Sequence, residues 1–273
     1  MEILNYLPRD LLQDKSVFIT GGGSGINLGI ARNFAALGAN VGICGRTSKK
    51  LEIARAELEA LGARVSTSVA DVRDYDEIAK ALQECEKTLG AIDCLVCGAA
   101  GNFLAPAENM SPIGFKTVIE IDLIGSFNTA RAAFDQLKET RGSIIFISAG
   151  QTFGPYFAQS HVGAAKAGID NLMRCLAMEW GSHGIRCNSI VPGPIAGTEG
   201  MKRLAAGGYE RKWIEAIPLG RFGTVNDIGQ MAVFLASPLA SYVTGAHIVV
   251  DGGQNLPGSG VFGQLISESL GYQ

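Results

Sequence analysis

The sequence predicts an α/β fold: a single domain built on a doubly wound, seven-stranded parallel sheet, with a small helical lid. Three observations lead there. Short apolar runs alternate with helix-period segments from Ser16 to Asp251. A glycine-rich turn follows the first apolar run directly and opens a helical segment. The chain has 273 residues, 47% hydrophobic and 18% charged, which suits one large core.

The first strand is read at Val17-Phe18-Ile19, and the helical run Ile30 to Leu37 behind the glycines ends at Gly38. Val41-Gly42-Ile43 is the second strand. It leads into Lys50 to Leu61, where apolar residues three and four apart mark an amphipathic helix. Val65-Ser66-Thr67 is the third strand, followed by a second such helix from Asp74 to Leu89. Cys94-Leu95-Val96, Ile144-Ile145-Phe146, Ser189-Ile190-Val191 and His247-Ile248-Val249 complete the sheet. Each run is short and apolar enough to be covered on both faces. No linker, low-complexity stretch or internal repeat interrupts residues 1–273, so one domain is expected. The interval Ile195 to Ile217 breaks the alternation with small residues, charges and Trp213, which predicts a small helical lid over a substrate.

A formal charge of −3 speaks against nucleic acid or an anionic membrane as the main partner, since both require a basic field. Local basic residues can still hold a phosphorylated small molecule. Cys44, Cys85, Cys94, Cys97, Cys175 and Cys187 lie mostly in apolar segments, as buried thiols of a reducing compartment do. Cys94 and Cys97 form a C-x-x-C, but within a strand-like run and with no second ligand pair nearby, so no metal is expected. Met1 to Asp14 lacks the apolar core of a signal peptide, no apolar run reaches membrane-spanning length, and Leu270-Gly271-Tyr272-Gln273 is not a peroxisomal address. The expected location is cytoplasmic.

The turn Thr20-Gly21-Gly22-Gly23-Ser24-Gly25-Ile26 carries the first functional signal. Glycines let the backbone bend sharply and approach a pyrophosphate, whose charge the following helix N-terminus holds. With a strand before and a helix after, the segment reads as a dinucleotide site of the Rossmann type, using Gly21, Ser24, Gly25 and Ile26. At the end of the second strand, Cys44-Gly45-Arg46-Thr47 lacks the acid that binds a ribose 2′-hydroxyl. Arg46, helped by Thr47, Ser48 or Lys49, would instead pair with a 2′-phosphate, so NADP is expected rather than NAD.

From Ser16 to Gly253 these motifs resemble the short-chain dehydrogenase/reductase superfamily, whose turn usually reads T-G-x-x-x-G-x-G. Asn27 stands at the last glycine, where it is expected to tolerate the positive φ a glycine would take. The resemblance implies that Asp71-Val72 meets the adenine and that Ala99-Ala100-Gly101, in place of the N-A-G turn, lines the cofactor. It also implies that Asn188-Ser189-Ile190-Val191-Pro192-Gly193-Pro194-Ile195 contacts the nicotinamide carboxamide. Pro192, Gly193, Ile195 and, beyond them, Thr198 are therefore assigned to the cofactor.

The catalytic helix departs from the family. Most members pair a tyrosine with a lysine four residues later, the lysine lowering the phenol's pKa so that it can exchange a proton. In His161-Val162-Gly163-Ala164-Ala165-Lys166 the lysine is present, but Val162 holds the tyrosine position. The family serine falls on Ala149, beside Ser148. Ordinary carbonyl reduction loses two of its three groups.

A narrower resemblance accommodates both losses. Ala99-Ala100-Gly101-Asn102-Phe103-Leu104, Phe115-Lys116-Thr117-Val118 with Ile121-Asp122, Pro192 to Gly200, and Leu235 to Gly245 are similar to the 2,4-dienoyl-CoA reductases, above all the peroxisomal type. That group also vacates the Tyr and Ser positions, and it has an aspartate in place of the catalytic-helix asparagine, here Asp122. The resemblance implies hydride delivery to the δ-carbon of a conjugated thioester and protonation of the resulting dienolate by a water held on Asp122. It also implies that Lys166 holds the nicotinamide ribose. Tyr156 and His161 are rival proton donors, though a Tyr in such a loop is more often a pocket wall and a His near a helix start more often a structural hydrogen-bonder. Phe103, Ser111 and Ile113 are expected to line an acyl-CoA pocket, and Arg73 and Arg203, with Lys202 behind them, to meet CoA phosphates. A homotetramer is implied by the resemblance alone, with Leu235, Tyr242, Val243 and the last strand apolar enough to contribute. The competing readings are another short-chain oxidoreductase acting on a 3-oxo or 2-enoyl thioester, or a non-catalytic dinucleotide-binding scaffold.

Overall fold

All seven expected strands form, and they lie parallel in one sheet. The computed structural model describes residues 7–204 and 210–256. The strands are β1 (Ser16–Thr20), β2 (Asn40–Gly45), β3 (Val65–Val69), β4 (Cys94–Cys97), β5 (Ser143–Ile147), β6 (Arg186–Pro192) and β7 (His247–Val250), in spatial order β3-β2-β1-β4-β5-β6-β7. Parallel strands need crossovers, and helices supply them: α1 (Gly25–Ala36), α2 (Ser48–Ala60), α3 (Tyr75–Leu89), α4 (Pro112–Ile119), α5 (Gly125–Thr140), α6 (Ser160–Trp180), α7 (Glu199–Leu204), α8 (Glu210–Glu215) and α9 (Val225–Ala236).

Two apolar layers sandwich the sheet. One joins alternate strand residues such as Val17, Ile19, Val41 and Val96 to α1, α2 and α9, and the other joins Phe18, Leu95, Ile144 and Phe146 to α3, α5 and α6. The alternation separates the C-x-x-C pair. Cys94 falls in the first layer and Cys97 in the second, so their thiols lie on opposite faces of the sheet. Coverage of both faces holds for the five inner strands. The edges are more open, with Val69 61% and Val249 45% exposed. Leu235 is fully buried in the first layer, so it cannot serve a subunit interface, whereas Tyr242 is wholly exposed.

Local chemistry sets the helix ends. Asp74 accepts from the backbone N–H groups of Asp76 and Glu77 at the start of α3, and Gly90 with φ 85° ends it. Thr224 and Asp227 cap α9 reciprocally, and Arg221 pairs with the Asp227 carboxylate at 3.0 Å. The α1 N-terminus differs, because Ser24 at its N-cap makes no side-chain capping bond. Between α4 and α5 the chain does not leave the helix but takes a π turn over Glu120–Ile124. In the interval expected to form a lid, the described residues make the short helices α7 and α8, with Met201, Trp213, Ile214, Ile217 and Phe222 packed together.

The neighbours of β1 decide where a ligand fits. The chain winds from β1 outward to β3, then returns to β4 on the other side of β1. The crevice outside the carboxyl ends of β1 and β4 is therefore the switch point, where doubly wound sheets take their ligands.

Candidate active site

A cavity of about 530 Å³ opens at that switch point. Its first wall is the glycine turn, with Gly21, Ser24, Gly25, Ile26 and Asn27. Gly21 and Gly25 have φ of 69° and 59°, conformations that favour glycine, and a Cβ on Gly21 would come within 3.2 Å of the Ala99 Cα. The turn thus lets backbone approach backbone. With no acid in the first turn of α1 and no capping side chain, the helix N-terminus presents its N–H groups to an anion.

Asn27 behaves otherwise than expected. It lies inside α1 without a positive φ, and its side-chain amide donates to the Gly98 carbonyl at 2.8 Å and more weakly to that of Gly21 at 3.5 Å. It therefore ties the β1 turn to the β4 turn. Gly98 makes room for it, since a Cβ there would sit 2.2 Å from Asn27 Oδ1. Thr20 joins the same two strand ends, its Oγ1 accepting from the N–H groups of Gly98 and Ala99.

Arg46 and Thr47 line the cavity at the end of β2, both exposed, and Asp71 and Val72 line it after β3. The Arg73 guanidinium folds onto Asp71, with Nη2 2.6 Å from Oδ2, and holds that carboxyl below the usual carboxylate range. Arg73 itself is outside the cavity lining, its charge engaged by Asp71. Ala99, Gly101, Pro192, Gly193, Ile195 and Thr198 close the wall around β4 and β6. At Gly193 a Cβ would lie 2.7 Å from the Asp251 Cα, so the turn after β6 needs a glycine to pass the end of β7. Thr198 Oγ1 donates to the Ile195 carbonyl and accepts from Met201 N, which shapes the entry to α7.

Asp122 and Lys166 meet at the cavity's inner end. Asp122 is fully buried, its Oδ1 accepting from Gly101 N at 2.7 Å and its Oδ2 3.2 Å from Lys166 Nζ. The Oδ2 contact lacks hydrogen-bond alignment, so that oxygen keeps acceptor capacity. Lys166, 6% exposed, donates to the Ile147 carbonyl at 2.9 Å. The π turn carries Asp122, and Ser126 Oγ donates to its carbonyl at 2.5 Å. Such turns widen a helix by one residue and often mark functional sites. Val162 and Ala149 also line the cavity, so hydrocarbon faces the position a phenol and a hydroxyl would otherwise fill.

The rival proton donors are placed differently. His161 is fully buried outside the cavity lining, its ring 4.4 Å from that of Phe103. Burial pushes its pKa down, against the opposing pull of the Phe103 backbone and the Asp122 charge. Tyr156 lines the cavity but its hydroxyl donates to Asn255 Oδ1 at 2.9 Å and accepts from Gln254 Nε2 at 3.1 Å. Burial raises its pKa. Gln254 in turn accepts from Trp213 Nε1 at 3.0 Å, linking α8 to the loop before α6. Sequence reasoning did not find Gln254 or Asn255, whose partners lie 98 and 99 positions away.

Phe103 lines the cavity, whereas Ser111 and Ile113 do not. Ser111 caps α4 by accepting from Gly114 N at 3.0 Å, and Ile113 points to solvent with 79% exposure. The side chain of Arg203 lies outside the described residues. Lys202 is exposed and sits 3.6 Å from Glu199.

A family model described as enoyl-(acyl carrier protein) reductase matches residues 21–255. A peroxisomal 2,4-dienoyl-CoA reductase of Saccharomyces cerevisiae, named as (3E)-enoyl-CoA-producing, is 43% identical over 267 residues, covering 96% of this chain and 91% of its own. The enzyme of the same name from Rattus norvegicus is 43% identical over 247 residues, covering 89% and 85%. Among solved structures, a short chain dehydrogenase from Bacillus anthracis superposes with a TM-score of 0.82 at 39% identity over 90% of this chain and 99% of that one. Levodione reductase superposes at 0.86 with 30% identity, over 90% and 99%.

Sheet order, glycine turn and these matches define the class: the chain belongs to the short-chain dehydrogenase/reductase family of oxidoreductases. Within that family it is of the 2,4-dienoyl-CoA reductase-like kind, as the relatives matched along most of its length are.

Proposed function

We propose that the protein reduces a 2,4-dienoyl-CoA to the 3-enoyl-CoA with NADPH, in the oxidation of unsaturated fatty acids. The observation that carries this reading is the buried Asp122–Lys166 pair facing the cavity, with Val162 where a proton-donating phenol would stand. The cradle suits a dinucleotide: positive-φ glycines, an uncapped α1 N-terminus and Arg46 at the end of β2. Arg46 and Thr47 would take the 2′-phosphate, Asp71 and Val72 the adenine, and Lys166 the nicotinamide ribose.

Bound there, the cofactor supplies a hydride to the δ-carbon of the diene. The chain's own residues then manage one proton. A water held on the Asp122 carboxylate gives one proton to the α-carbon of the dienolate, leaving the double bond between the β- and γ-carbons, and the hydroxide that remains takes up a proton from solvent. Lys166 Nζ, 3.2 Å from Oδ2, sets a positive charge beside Asp122 and limits how far its carboxylate can turn. The relatives' (3E)-enoyl names agree with α-protonation. The raised pKa and engaged hydroxyl of Tyr156, and the burial of His161 away from the cavity, favour a water donor over either side chain.

Mixing the purified protein with NADPH and 2,4-hexadienoyl-CoA tests the reading. Loss of the NADPH absorbance with formation of the 3-enoyl product is expected; tight NADPH binding with no turnover would instead make the chain a dinucleotide-binding scaffold.

The CoA phosphates are assigned to Arg203 and, in exchange for its Asp71 partner, to Arg73. Exposed Tyr242, Leu239 and Val249 support assembly, proposed as a homotetramer and measured by sedimentation. The compartment is proposed as the cytosol on the buried free thiols. The relatives' names point instead to peroxisomes, and imaging a tagged chain beside a peroxisomal marker separates the two. No described helix is long and apolar enough to cross a membrane.

A further inference from the structure

A second cavity, of about 590 Å³, lies on the far side of the loop between β5 and α6. Its volume is within the roughly 300–1,000 Å³ that ligand sites occupy. It shares two walls with the first cavity, Gln151 and Tyr156. Both walls are held in place: Tyr156 by Gln254 and Asn255, and Gln151 by a hydrogen bond to the Gln159 side chain. The junction is thus ordered.

The lining selects a class of ligand. Pro106, Phe153, Pro155, Phe157 and Ala164 supply apolar surface, while the described lining residues include no lysine or arginine and one acid, Glu108. A phosphate or nucleotide would find no counter-charge there, whereas a hydrocarbon would find walls. Phe157 is 89% and Phe153 53% exposed, apolar surface that a ligand would take out of water. The second cavity adjoins the first, with Gln151 and Tyr156 walling both.

We propose that the second cavity receives the distal hydrocarbon of the acyl chain, the part beyond the diene, and so sets chain-length preference. The inference rests on the dienoyl-CoA reading above. A six-carbon dienoyl chain has one carbon past the δ-position, too little to fill the second cavity. Longer chains pass Tyr156, and each methylene buried beyond it raises kcat/KM by about fourfold.

Gly163 and Gly154 line only the second cavity, and a Cβ has room at both: the nearest atoms are 3.8 Å away at Gly163, and none is within 4 Å at Gly154. The test compares the wild type with Gly163→Leu and Gly154→Phe on dienoyl-CoA substrates of six to sixteen carbons, with sedimentation of each variant. The expected wild-type result is a rise in kcat/KM with chain length. The variants should keep six-carbon turnover within about twofold and lose about tenfold or more on the long chains, with unchanged assembly. Six-carbon turnover with no dependence on length in the wild type, or an undiminished rise in both variants, would overturn the tail site alone. Altered assembly in the variants would overturn it as well, by making this face a contact between copies. No turnover at any length would overturn the underlying reductase reading, and the tail site with it.

Discussion

Replacing Asp122 by Asn removes one negative charge from a fully buried pair while keeping the side chain's size. The amide oxygen can still accept from Gly101 N at 2.7 Å, but its NH₂ then faces Lys166 Nζ, 3.2 Å from the present Oδ2. Lys166 keeps only the Ile147 carbonyl and stays 6% exposed, so its charge is left uncompensated. Breaking a buried pair on one side costs about 3–5 kcal/mol. At about 2 °C of Tm per kcal/mol in a chain of this size, the variant should melt roughly 6–10 °C lower. Turnover of 2,4-hexadienoyl-CoA should fall by about 10²-fold or more, with NADPH affinity changed much less, as expected for a lost proton-transfer group. A double-mutant cycle with Lys166→Met separates pairing from bulk burial. The double variant should be more stable than the sum of the single losses predicts, because it leaves neither charge alone. Calorimetry and stopped-flow absorbance measure both quantities. An Asp122→Asn protein with wild-type Tm and turnover would refute the reasoning.

Arg46→Ala should raise KM for NADPH by about 10- to 100-fold and leave that for NADH nearly unchanged, since a charge-assisted bond to phosphate contributes about 1.5–3 kcal/mol; equal effects on both cofactors would show that Arg46 does not meet the 2′-phosphate. Asp227, held down to about 2 by the Arg221 guanidinium, contributes stability fully above the ordinary carboxylate range. That contribution is lost as pH falls from about 4 through 2. Asp227→Asn should therefore lower Tm by a few degrees at pH 7 and flatten the acid limb of the Tm profile, read by circular dichroism. The thiols of Cys44, Cys85, Cys94 and Cys187, each pushed up to about 12 by burial, should resist iodoacetamide at pH 8 in the folded protein and react after denaturation, as peptide mass mapping would show.

The strands were legible because a parallel sheet buried on both faces needs continuous apolar runs, and Val17-Phe18-Ile19 or Ile144-Ile145-Phe146 have no other use at that length. The dinucleotide cradle was legible for a related reason: its requirements are local, a positive φ at Gly21 and Gly25 and a helix start directly after. Local sequence also flagged Asn27, Val162 and Asp122 as departures. It could not say what each does, because their partners are remote. Asn27 was expected to take a left-handed turn and instead bridges to Gly98, 71 positions on. Leu235 reads as apolar whether it faces a partner subunit or the core, and packing against β-strand residues chose the core.

What the sequence by itself determined is the seven strands, the glycine-rich turn and the residue types beside it, since these follow from periodicity and from glycine's backbone freedom. Only the tertiary structure decided that Asp122 rides a π turn, that its carboxylate stands 3.2 Å from Lys166, and that Trp213, Gln254 and Tyr156 join three separate segments. Those contacts depend on distances between elements far apart in the chain. No local pattern encodes them, and they form only once the two apolar layers have closed over the sheet.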